Sequence, residues 1–225
     1  MKRYSCWFLI VMLTSHLRAG IPEPKGTWEF NTPDTTGATV GAPLEIVGFA
    51  QIVPGVNAQD GAISIGEGSY YVCSHGISPN GGGAKVNEWT LLIDFSYPLS
   101  SLSDPPNGYN DLFQTDPTNT DDADWTINSS GAIGIGAVGY SGAFGYTTGP
   151  NTWYRMVVVV DNGVRHDLYV DGVEILKGRI PYYELGQILL CGRHSRLFSK
   201  ASSLTAAEAL RNPRSSMGFM RRSTI

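Results

Sequence analysis

Three cysteines in 225 residues are too few to staple a disulfide scaffold. Cys6 falls in the opening apolar run, which leaves Cys73 and Cys191, and their wide separation in sequence says nothing of their distance in space. Two small buried hydrophobes is the simpler reading of both. Histidine is equally scarce. The middle of the chain holds only His75 and His166, and no Cys or His spacing suits zinc. There is no G-x-S-x-G elbow, which removes the hydrolase nucleophile built on one. "SPNGGGAK" is rich in glycine, yet no helix follows it to present N–H groups to a phosphate. No unit of about 20–50 residues recurs, so solenoids and propellers are excluded.

Long apolar runs are missing too, apart from the start of the chain. In "MKRYSCWFLIVMLTSHLRAG", Lys2 and Arg3 precede the apolar run Cys6–Leu13, and small residues follow between Ser15 and Gly20. That is the pattern of a secretory signal, residues 1–19, cleaved after Ala19, and the run is too short to span a bilayer. A buried first strand is the competing reading. On the signal reading, residues 20–25 are a linker and the mature protein is secreted, periplasmic or held at the cell surface without an integral membrane segment.

The formal net charge of −4 hides a division. Residues 20–192 hold six basic and nineteen acidic residues, a net of −13, whereas residues 193–225 hold seven basic residues against Glu208 alone, a net of +6. A body this acidic repels polyanions, so nucleic acid is not an expected partner.

With 42% hydrophobic residues, 27 Gly and 13 Pro, the chain suits one all-β domain with appendages. "GTWEFN" (26–31) reads as a first strand, "LEIVGFAQIV" (44–53) as a second and "GAISIG" (61–66) as a third. "EWTLLIDFSYPL" alternates most clearly: Trp89, Leu91, Ile93, Phe95 and Tyr97 share one face, and Thr90, Asp94 and Ser96 take the other. In "WYRMVVVVDNGVRHDLYVDGVEILKG" the run Met156–Val160 suits a strand covered on both faces, and Asp161-Asn162-Gly163 and Asp171-Gly172 supply turns. The segment therefore reads as a three-stranded meander, in which Gly172→Val costs about 1–2 kcal/mol through the positive-φ penalty. "AIGIGAVGYSGAFGY" (132–146) repeats glycine every second or third residue. Close packing against a bare strand accounts for that; a ligand lying flat on it is the alternative. Short strands between Gly, Pro, Asn and Asp clusters point to two packed antiparallel sheets.

Trp153-Tyr154 opening a strand and "YVDG" (169–172) at the next hairpin resemble the laminin-G-like, or concanavalin A-like, jelly-roll domains of bacterial exported proteins. "GTWEFN", "QDGAISIGEG" (59–68) and "NEWTLLIDF" (87–95) resemble further strands of that family, so the resemblance covers residues 26–192. It implies an all-β sandwich, a jelly roll of two curved antiparallel sheets. It does not imply one activity, because the fold hosts lectins, adhesion modules, glycosidases and lyases. Where such domains bind sugars or proteins, the concave face or the loops of one rim do so, sometimes with calcium.

Jelly-roll glucanases carry the carboxylate pattern E-x-D-x-x-E, and the sequence has none. Asp94 and Asp167 lie on strands without a second acid two residues away, and as isolated strand acids they are expected to face solvent. The expected function is therefore a glycan-binding, surface-binding or adhesion module without catalysis, with a glycan or an extracellular matrix component as partner. A diverged polysaccharide hydrolase or lyase and a purely structural surface domain are the alternatives. Ligand contacts would come from Trp125, Tyr140, Tyr146, His75 and Asn80. Trp125 follows an acidic stretch and reads either as a stacking platform for a sugar ring or as a half-buried strand residue. His75 reads either as a ligand group or as a solvated loop residue. In "NDLFQTDPTNTDDADW", Asp116, Asp121, Asp122 and Asp124 offer oxygens for calcium, though the spacing is not an EF-hand, and a solvated acidic loop is the other reading. Trp28, Trp89 and Trp153 are expected in the core.

From Arg193 to Ile225 no alternating strand is legible. "LTAAEAL" suits a short helix with Thr205 as cap and Glu208 reciprocating, ended by Asn212-Pro213. The segment reads either as a disordered basic extension or as the product of an altered reading frame.

Overall fold

The computed structural model describes residues 22–66, 68–82, 84–102, 110–114, 125–135, 139–162, 164–178, 188–192 and 196–206. The expected signal segment 1–19, the carboxylates Asp116, Asp121, Asp122 and Asp124, and the stretch after Ala206 lie outside them. The strands run in chain order as β1 (Pro24–Gly26), β2 (Glu45–Val47), β3 (Ala50–Pro54), β4 (Gly61–Ile65) and β5 (Ser69–Cys73). Then come β6 (Glu88–Ser96), β7 (Asn110–Phe113), β8 (Trp125–Ile127), β9 (Ile133–Ile135) and β10 (Gly139–Tyr140). β11 (Tyr154–Asp161), β12 (Arg165–Val170), β13 (Val173–Gly178), β14 (Ile188–Gly192) and β15 (Arg196–Ala206) complete them. No α-helix occurs among the described residues.

One sheet has the order β13-β12-β11-β6-β15-β4-β3, with β1 also paired to β15. The opposing strands form two ladders, β10-β9-β8-β7 and β14-β5-β2, and β14 runs alongside β7. Every ladder is antiparallel, so the molecule is an all-β sandwich of the jelly-roll type.

The alternation of β6 explains how the layers meet. Trp89, Leu91, Ile93 and Phe95 point inward with Met156, Val158 and Val160 of β11 and Leu168 and Val170 of β12. They pack on Leu112, Phe113, Trp125, Ile127 and Ile133 of the facing layer. Each such aliphatic or phenyl side chain contributes about 1.5–3 kcal/mol by leaving water. The other face of the central strands is covered as well, where Val157, Val159 and Tyr169 pack with Leu92 in a second small cluster. That double burial is what the unbroken run Met156–Val160 requires.

Several expectations need correction. Asp94 and Asp167 do not face solvent; both are buried. Each has an arginine to offset its charge: Arg155 is registered opposite Asp94 and binds it in a fork, and Arg165 reaches Asp167 at 3.5 Å. The first strand is Pro24–Gly26 and not "GTWEFN", because the Trp28 ring folds back over Gly26, where a Cβ would collide with it, and its Nε1 donates to the Ala42 carbonyl at 3.1 Å. "LEIVGFAQIV" is two strands in different sheets, broken at Gly48 with φ 91°. Trp153 is only half-buried and precedes β11.

The largest correction concerns the end of the chain. The stretch 196–206 is a strand, and it occupies the middle of the large sheet between β6 and β4. Leu204–Ala206, expected in a helix, lie in this strand, so the folded unit reaches past residue 192.

Cys73 and Cys191 do not pair. β14 sets Ile188 opposite Cys73 and Cys191 opposite Tyr70, three positions off, or about 10 Å along the strand. That is too far for a disulfide. Cys73 is a free, buried thiol whose pKa burial pushes up to about 12, which leaves it unreactive.

Candidate functional site

Residues 131–135 and 139–151 form a rim at the end of the sandwich where β6 finishes and β11 begins. Two glycines there answer to close approach. A Cβ on Gly134 would collide with the Gly139 carbonyl, and one on Gly131 with the Thr148 carbonyl. Gly145 caps the 3-10 turn Ser141–Phe144 at φ 77°. Close packing thus accounts for Gly134, whereas Gly139 and Gly145, at φ 103° and 77° with open space where a Cβ would stand, answer to backbone conformation instead.

Ser141 locks this turn to the sheet. Its buried hydroxyl donates to the Tyr146 carbonyl at 2.8 Å and accepts from the Ile133 N–H at 3.0 Å. Downstream, the Tyr97 hydroxyl donates to the Thr148 carbonyl at 3.0 Å, and the Gly149 N–H donates to the Tyr154 hydroxyl at 2.8 Å. The Asn151 N–H then donates to the Tyr97 carbonyl at 2.7 Å. Two core tyrosines thus fix the loop from beneath, so what it displays is displayed rigidly.

What it displays is aromatic. Phe144 is 62% exposed at the tip of the 3-10 turn, which lies against β13, where Val173 is 59% exposed. Tyr140 is half-buried and shares a hydrogen bond of 2.9 Å with Thr126 Oγ1. Tyr146 is half-buried against the core, and its hydroxyl is pushed up to about 12, by burial first and then by the charge of Asp171.

Asp171 and Gly172 turn β12 into β13 with φ 48° and 83°, the positive values that this pair was expected to adopt. The Asp171 carboxylate accepts from the Arg155 N–H at 3.0 Å, and its own N–H donates to the Arg155 carbonyl at 2.9 Å. Arg155 in turn donates from Nε and Nη2 to Asp94 at 2.7 and 2.6 Å, while its side chain stays 42% exposed. Asp94, Asp171 and Asp60 all hold its charge in place.

The expected ligand residues do not converge. Tyr140 and Tyr146 belong to the rim. Asn80 and His75 belong to the loop 74–87 leading into β6, and Asn80 sits at the other end of that strand, about 25 Å away along nine residues. Asn80 is occupied structurally: Oδ1 accepts from the Asn87 and Glu88 N–H groups, both at 2.8 Å, and Nδ2 donates to the Glu88 carbonyl at 2.7 Å. His75 is half-buried and accepts from the Ile77 N–H at 3.0 Å. Trp125 is not a platform, since it is fully buried between Phe113 and His166. β8 is covered on both faces, so no side chain of it is left for a sugar. Among the described residues no group of three or more His, Cys, Asp or Glu comes together to hold a metal.

Sequence reasoning missed Phe144, Arg155 and Asp171 as rim residues. A legible signal was present for the first. A large aromatic inside "SGAFGY" belongs to no strand periodicity, so nothing assigns it to a core.

The fold defined by this geometry is an antiparallel β-sandwich, and similar solved structures share it. No family model matches the chain, and no curated protein matches it. Domain 4 of AbnA, a GH43 extracellular arabinanase from Geobacillus stearothermophilus in complex with arabinotriose, is similar at 15% identity and TM-score 0.55, over 84% of this chain and 96% of that one. The binding domain of botulinum neurotoxin DC in complex with rat synaptotagmin II is similar at 10% identity and TM-score 0.58, over 90% of this chain and 53% of that one. The same domain in complex with SialylT gives 9% identity and TM-score 0.57. The chain thus spans about half the length of the toxin domains. At these identities the likeness shows the fold alone.

Proposed function

We propose that the chain is a glycan-binding module of the laminin-G-like or concanavalin A-like type, exported and without catalysis of its own. The observation that carries this reading is the exposed Phe144 at the rim, on a 3-10 turn that lies against β13, with Tyr146 two residues on and the carboxylate of Asp171 close enough to act on the Tyr146 hydroxyl. An aromatic ring stacks on the apolar face of a sugar, and adjacent carboxylates accept its hydroxyl hydrogens. Similar sandwiches carrying arabinotriose and SialylT support the same class of ligand.

Absence of catalysis is supported by the placement of the strand acids. Asp94 and Asp167 are bound to arginines, and they are registered to β11 positions four residues apart, about 13 Å along the strand. Glycosidic carboxyl pairs stand closer, at about 5–9.5 Å.

A glycan array tests the reading, with the processed protein run with and without a chelator. Binding to at least one glycan is expected, with loss of about ten-fold or more in Phe144→Ala at unchanged melting temperature. Sensitivity to the chelator would support calcium at Asp116, Asp121, Asp122 and Asp124. No binding in either condition would contradict the proposal. Mature protein beginning at Gly20 after expression with its own leader is the result that export requires.

A further inference from the structure

The two ligands named for the similar structures differ in charge class, since a sialyl glycan bears a carboxylate and arabinotriose does not. The electrostatics of the rim choose between them. The positive side chain described at this rim is Arg155, and it is already engaged. Arg155 forks onto Asp94 at 2.6 and 2.7 Å. Recognition of a glycan carboxylate needs a cation whose charge is not already spent, ideally an arginine free to make a paired contact.

The negative side chains are placed the other way. Asp171 and Glu174 are exposed on the turn and on the edge strand beside the 3-10 turn that carries Phe144. Asp60 lies close enough to add its charge at Arg155. Residues 20–206, which include β15, as a whole carry nine basic and nineteen acidic residues, a net of −10. An anionic ligand therefore approaches against the field of the body and the local field of the rim. A neutral sugar meets neither penalty, and its hydroxyls find carboxylate acceptors next to an aromatic face.

Resting on the glycan-binding reading above, we infer that the rim selects neutral oligosaccharides, and that the carboxylate of Asp171 is a specificity-determining group that turns away acidic ones. The exclusion is by like charge and not by shape, so it weakens as salt is raised.

The test is an array on which each neutral glycan is printed beside its sialylated counterpart, probed with the wild type and with Asp171→Asn. Asparagine suits this position. It tolerates the left-handed backbone there, and its Oδ1 can still accept from the Arg155 N–H. The wild type is expected to favour the neutral member of a pair by about ten-fold or more, and Asp171→Asn to narrow that ratio to about three-fold or less. High salt should narrow it in the wild type. Equal or tighter binding of the sialylated members by the wild type would overturn the inference and leave the glycan-binding reading standing. So would an unchanged ratio in a folded Asp171→Asn protein. Binding to neither member of any pair would overturn both.

Discussion

His166 faces the interior from β12, with its ring stacked at 12° on Trp125 at 6.5 Å between centroids. Burial disfavours the imidazolium, and the pKa falls to about 4 from an ordinary value of 6.5. Between those values the unfolded chain takes up a proton that the native protein refuses, so stability falls as pH drops through this window and the group adds nothing further below it. The loss between neutral pH and pH near 4 is about 3 kcal/mol from this residue. Denaturant melts of the wild type and His166→Gln at both pH values check it. The wild type is expected to lose more than the variant by roughly that amount, and parallel losses would contradict the assignment. Individual residues were legible in the sequence where a local pattern fixes them. The Asp171-Gly172 turn follows from its own backbone preferences, and Trp89 from strict alternation. Trp125 and Asp94 were misjudged because their burial depends on what lies across the sandwich. A facing layer covers one and an arginine 61 positions away neutralises the other.

At the level of strands, β6 was readable because both its neighbours leave its period of two intact. β15 was not, and its pairing shows why. Residues Leu197–Ser199 and Ser203–Ala206 pair with β6 in two pieces, with a shift of register between Ser199 and Ser203. The shift adds two residues to β15 and leaves 200–202 without a registered partner on β6. Phe198 and Leu204 therefore stand six apart with Lys200 and Ser202 at the positions between them, and no apolar alternation is legible. Each half is nevertheless registered well, with Phe198 opposite Phe95 and Leu204 opposite Leu91. The basic composition of the region concealed a central element. Truncation after Gly192 therefore removes the strand that joins β6 to β4 and leaves both with unpaired edges. The truncated chain is expected to be insoluble or to lose its cooperative melt, whereas truncation after residue 206 keeps both. A soluble protein ending at Gly192 with an unchanged melting transition would refute the placement of β15.

For the molecule as a whole, the two ends of the long central strands have different roles. One end carries the loop 74–87, knitted by Asn80 and Asn87 to the start of β6. The other carries the rim, where tyrosine hydroxyls from the core hold a glycine-rich loop and bring Phe144 into solvent. The sandwich itself could be anticipated from strand spacing and turn chemistry. The rim could not, because it depends on which loops the topology gathers at one end, and candidate residues taken from sequence fell at both. The most direct measurement is a titration of isotope-labelled protein with the best-scoring array glycan, followed by amide chemical shifts. The account predicts that the perturbed amides cluster in residues 139–151 and 171–174. Perturbation centred on residues 74–87, or spread over the sheet away from the rim, would contradict it.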